Sequence, residues 1–172
     1  MSSAMIVPTT ADVVHTIARQ FEEVIVPALD GLRERSAAAT MSHLLRYVNK
    51  RVEMEGPLLF EEAAELRRIL GGIAERLAGT AGLERALATV RTTLAQELDP
   101  AVYPSVTLLG DEVSRLRGAV DAMLVALRAL PEGARTDATA AAHEELRAYI
   151  GWQILQEAKI IEPAFVGFGA RR

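Results

Sequence analysis

Apolar residues recur at steps of three and four along almost the whole chain, the spacing that lines one face of a helix. The first stripe runs through Val14, Ile17, Ala18, Phe21, Ile25, Ala28, Leu29 and Leu32. Thr9-Thr10-Ala11-Asp12 opens it as a capping box. Pro27 lies inside the pattern and predicts a kink or short break one turn earlier. A second stripe, Met41, Leu44, Leu45, Val48 and Val52, runs into Gly56-Pro57, the strongest breaker pair in the sequence.

Beyond that pair the pattern predicts a bent continuation over Leu58 to Leu77, closed by a turn at Gly79-Thr80-Ala81-Gly82. A further helix is expected from Leu83 to Leu98, ending at Asp99-Pro100, with a connector over Ala101 to Pro104. The third long helix carries Leu109, Val113, Leu116, Val120, Met123, Leu127 and Leu130 and stops at Pro131-Glu132-Gly133. The fourth is expected from Asp137 to about Pro163, apolar on a second side through Trp152 and Leu155, which suits a homodimer contact or a seat for an inserted helix. The Gly-rich tail Phe165 to Gly169 is not expected to stay helical.

Composition supports the helical reading. Half of the 172 residues are apolar but only 5% are aromatic, too few for a sheet protein. Length and the absence of a linker predict a single domain over residues 1–172. The net charge of −4 gives no electrostatic reason to approach nucleic acid. With no cysteine, the chain has neither disulfides nor thiolate metal sites. No apolar run approaches a membrane span and Met1 to Thr10 lacks signal-peptide character, so a cytoplasmic location is expected. No Ser/His/Asp order, P-loop or zincin motif is present, and Gly71-Gly72 follows no strand, so it is not a phosphate loop.

Two segments a hundred residues apart look alike: Arg51-Val-Glu-Met-Glu55-Gly-Pro-Leu-Leu-Phe60 and Gln153-Ile-Leu-Gln-Glu157-Ala-Lys-Ile-Ile-Glu-Pro163. Each sets a polar residue four before a glutamate and then turns apolar. This resembles the hemerythrin-like (HHE cation-binding) family, in which a His and a Glu four residues later lie on the second and fourth helices. Phe21 to Ile25 would stand for that family's first histidine segment and Gly110 to Leu116 for its Glu-His pair, with roughly Glu61 to Pro104 as an insertion. The resemblance implies histidines at Glu22 or Glu23, Arg51, Val113 and Gln153, whereas only the carboxylates Glu55 and Glu157 persist. The histidine-rich di-iron site implied by the family cannot be built here. His15, His43 and His143 lie in three separate helices and nowhere form His-x-x-x-Glu or Glu-x-x-His.

Helical spacing by itself also sets polar residues on apolar stripes. Glu55 follows Met41, Leu45, Val48 and Val52; Gln153 and Glu157 lie between Leu146, Ile150 and Ile160; Glu22 adjoins Phe21 and Ile25. If these faces meet, three carboxylates and the Arg51 guanidinium share a poorly solvated interior with excess negative charge. A bound cation, a protonated carboxylate or escape into solvent would each relieve it, and Arg51 with Glu55 is equally an i,i+4 pair along one helix. Trp152, Tyr149 and Tyr47 either line a pocket or serve as core.

The expectation is therefore an all-α, antiparallel up-down four-helix bundle with one or two extra helices between its second and third members. Its leading function is a small-molecule-binding or structural module with ligand contacts from Glu22, Arg51, Tyr149 and Gln153, without cofactor. In the alternative, Glu55 and Glu157 act as general acid/base on a small substrate oriented by Arg51. A third reading has Glu22, Glu55 and Glu157 hold Mn or Mg.

Overall fold

The apolar stripes close as helices throughout. In the computed structural model, which describes residues 8–99 and 103–164, α1 spans Thr10–Gln20, α2 Leu32–Arg76, α3 Glu84–Leu94, α4 Val106–Ala129 and α5 Asp137–Ala164. No strand occurs among the described residues. The Phe165 to Gly169 tail, residue 100 and residues 101–102 of the expected connector lie outside the described residues.

The start of α1 follows its sequence signal: Asp12 N–H donates to Thr9 Oγ1 at 3.2 Å and Thr9 N–H donates to Asp12 Oδ2 at 2.9 Å. The hydrogen bonds from Thr9 hold the Asp12 carboxyl below its ordinary value. Pro27 disturbs the chain upstream, as expected, and the disturbance has a definite form. The α-helix gives way to a π turn over Phe21–Ile25 and a 3₁₀ turn over Val26–Ala28. Widening and then tightening the winding accommodates a ring that lacks an N–H and clashes with the carbonyl four residues back. Arg35 Nε donates to Leu29 O at 2.8 Å, serving a carbonyl at the break.

Gly56-Pro57 does not act as a breaker. α2 runs through it for 45 residues with Pro57 inside. A helix-interior proline costs about 3 kcal/mol, and the clash it imposes on the preceding residue is relieved because Gly56 has no Cβ. Four fully or nearly fully buried side chains further along α2, Leu66, Ile69, Leu70 and Ile73, each stabilise by roughly 1.5–3 kcal/mol as an upper bound, which outweighs that cost.

The chain forms two compact units, residues 1–55 with 156–172 and residues 56–155, so that α2 and α5 each contribute to both. Among the described residues of the first unit, the buried side chains are Ala18, Ala38, Ser42, His43, Ile160 and Ala164. His43 Nδ1 lies 2.9 Å from Ala164 O, a carbonyl of the last turn of α5, and must donate to it.

The second unit holds the main core, with Leu66, Leu70 and Ile73 of α2, Leu77 just after it, Leu87 and Val90 of α3, Val113, Leu116, Val120, Met123 and Leu127 of α4, and Leu146 and Tyr149 of α5. Residues 61–104, which the family resemblance sets aside as an insertion, supply much of this core. The α2–α3 turn falls where expected, with Gly79 and Gly82 at φ +79° and +86°, a region that disfavours a Cβ. α4 starts on Ser105, whose Oγ accepts from Leu108 N–H at 3.2 Å, and α5 on a reciprocal Thr136–Thr139 pair.

Candidate functional site

The residues singled out by the sequence stripes divide between the units. Glu22, Arg51, Glu55 and Glu157 belong to the first, Tyr149 and Gln153 to the second. The expected poorly solvated interior is not formed by the glutamates. Glu22 has a side chain 40% exposed and accepts from Arg46 Nε at 3.0 Å. Glu157 is exposed and Glu55 half-buried. Arg51 bonds Glu55 one turn away along α2, donates to the Tyr47 hydroxyl at 2.9 Å and stands over that ring at 5.6 Å. Pairing with a neighbour on the same or an adjacent helix has taken up the charges that the stripe pattern placed in the core. Among the described residues no group of three or more His, Asp or Glu side chains is arranged to hold a metal ion, so the Glu22, Glu55 and Glu157 ligand set is not assembled.

Tyr149 is buried inside the second unit with its hydroxyl engaged, rather than presented to a ligand. It donates to Glu62 Oε1 at 2.5 Å, and Arg117 grips the same carboxylate with Nε at 2.7 Å and Nη2 at 2.9 Å. Glu62 is 7% exposed, so this fork ties α2, α4 and α5 together below the surface. Burial first, and the bond to Glu62 second, push the Tyr149 phenol well above its ordinary range. Burial works against the charge on Arg117, but the bonds to Glu62 more than offset it and raise the guanidinium pKa. Trp152 lies beside Tyr149 with ring centroids 6.1 Å apart. Half-buried Gln153 and exposed Glu157 both make polar contacts of their own.

A second buried ion pair opens onto solvent. Glu112 of α4, with a side chain 6% exposed, accepts from Arg67 Nε at 2.6 Å. The other arms of Arg67 donate to Leu94 O at 2.9 Å and Gln96 O at 2.7 Å, where α3 ends. Arg67 is therefore held on three sides. Arg115 bonds the Gln96 side chain close by.

This pair forms one wall of a cleft of about 580 Å³. The rest of the lining is apolar, from Phe60, Ala63, Leu98, Pro104 and Leu109, with Tyr103 and the carboxylates Glu97 and Asp99. Phe60 is 62% exposed, a large apolar side chain standing beside a concavity rather than in the core. Counting the lining side chains, one arginine faces three carboxylates, so the cleft is acidic. A concave, largely apolar site with a few fixed polar groups is the ordinary form of a small-molecule site.

Sequence reading missed Glu62, Arg67 and Arg117 and used Glu112 only through the family resemblance. The signal was present: Glu62 continues the stripe to Leu66, Ile69 and Ile73, and Glu112 lies between Leu109 and Leu116. Comparison with protein-family models, with curated proteins and with solved structures yields no match to this chain. Among the described residues, no helix is long and apolar enough to cross a membrane.

Proposed function

We propose that this chain is a small-molecule-binding module whose ligand is an amphipathic organic cation, held in the cleft beside Arg67 and Glu112. The observation that carries this reading is the composition of that cleft: apolar lining with an exposed phenylalanine, and three carboxylates to one arginine in the same lining. Aromatic faces attract cations as well as apolar groups. The Arg67–Glu112 pair is already saturated by its own bonds, so it supplies a rigid wall rather than a reacting group. An antiparallel up-down four-helix bundle is part of the proposal, supported by the core that α2, α3, α4 and α5 share in the second unit and by the short α2–α3 and α4–α5 turns. Hemerythrin-like ancestry is a further proposal, resting on the paired segments around Glu55 and Glu157 and implying a site whose histidine ligands have been replaced.

Binding of a cationic dye, rhodamine 6G, compared with the anionic 1-anilinonaphthalene-8-sulfonate, tests the reading. The cation binds more tightly, and its affinity falls at least about tenfold, or roughly 1.4 kcal/mol, in Phe60→Ala and in Glu97→Gln, Asp99→Asn. Equal binding of both dyes, or cation binding that neither variant alters, contradicts it.

A further inference from the structure

A smaller cavity in the second unit has the opposite electrostatics. It measures about 280 Å³ and is lined by Leu127, Arg128, Arg135, Thr139, Ala140 and His143, where α4 ends and α5 begins. No carboxylate is among those six residues, although the chain as a whole carries net negative charge.

The two arginines are differently held. Arg135 Nε donates to Leu130 O at 3.2 Å, which anchors the guanidinium and leaves Nη1 and Nη2 without a hydrogen-bond partner among the described residues. Arg128 makes no hydrogen bond or ion pair with any described residue. His143 Nδ1 lies 3.8 Å from the carboxylate of the flanking Glu144, beyond hydrogen-bond reach. Thr139 is already satisfied through Thr136 and forms floor rather than donor.

Two like charges facing one small concavity repel each other, and an oxyanion placed between them reverses that term. Guanidinium nitrogens present paired donors that match a tetrahedral or planar oxyanion, and here several have no internal use. Leu127 and Ala140 add an apolar floor, and the volume exceeds what a bare phosphate needs. We infer that this cavity is a binding site for a small organic phosphate, its phosphate held by Arg128 and Arg135 with His143 at the edge and its carbon part on Leu127 and Ala140. The inference is independent of the acidic cleft, with which it shares no lining residue.

Titration with phenyl phosphate, inorganic phosphate and phenol, followed by NMR of the His143 ring and the Thr139 and Ala140 amides, tests it. Phenyl phosphate shifts these signals saturably and binds at least about threefold more tightly than inorganic phosphate, while phenol does not bind. Arg128→Gln, Arg135→Gln weakens phenyl phosphate at least about tenfold, and added salt weakens it too. Both arginines are exposed, and the dispersed amide spectrum of the double variant verifies that it is folded before its affinity is compared. Absence of saturable shifts up to about 10 mM phenyl phosphate, binding that survives the double variant, or inorganic phosphate binding as tightly as phenyl phosphate overturns the inference.

Discussion

Glu62 shows how a single residue decides more than its own position. A carboxylate buried on an apolar stripe is tolerated because Arg117 and Tyr149 satisfy both of its oxygens. Glu62→Ala leaves the Tyr149 hydroxyl and the inner face of Arg117 without that partner. Because Arg117 is partly solvated, the expected loss is about 2–3 kcal/mol by denaturant unfolding, below that of a fully buried pair. Tyr149 adds a pH signature. Its folded pKa is raised above the ordinary 10.0, so above pH 10 the unfolded chain releases that proton while the folded chain keeps it. The stabilising contribution is complete below pH 10 and is lost as pH rises beyond it. Stability of Tyr149→Phe therefore falls less steeply above pH 10 than that of the wild type. Glu55 and Glu62 read alike in sequence, each a glutamate on an apolar stripe. What separates them is the partner: Glu55 has an arginine one turn back on its own helix, whereas Glu62 depends on α4 and α5, which no spacing along α2 reveals.

At the scale of elements, local signals were legible wherever the backbone itself made the decision. The Thr9–Asp12 box, the Pro27 disturbance, the Gly79–Gly82 turn and the stop at Pro131 fall where the residues place them. Tertiary forces decided the exceptions. The helix expected to reach Leu98 ends at Leu94, where the Arg67 guanidinium takes the carbonyls of Leu94 and Gln96. α2 continues past Gly56-Pro57 because the buried face beyond it outweighs one lost hydrogen bond. Two glycines of neighbouring sequence should then respond with opposite sign. Gly72 lies inside α2 with open space where a Cβ would go, so Gly72→Ala stabilises by about 0.5–1 kcal/mol. Gly79 has positive φ at the end of the helix, so Gly79→Ala destabilises by about 1 kcal/mol. Chemical denaturation of both variants checks the pair.

For the molecule as a whole, the periodicity conveyed an all-helical chain and the membership of most of its core, since 3.6-residue repetition follows directly from burial of one face. The location of the candidate site was not legible. Stripe position drew attention to Glu22, Arg51, Glu55 and Glu157, whose charges are met locally in the first unit or reach solvent. The cleft of the second unit instead joins Phe60 and Arg67 of α2, Glu97 and Asp99 after α3, and Glu112 of α4, residues far apart in the chain and brought together by packing. Hydrogen–deuterium exchange with and without rhodamine 6G tests its assignment as the binding place. Slowed exchange confined to peptides covering residues 58–68 and 94–113 is the predicted result; slowing around Glu22, Arg51, Glu55 and Glu157 instead, or no change anywhere, contradicts it.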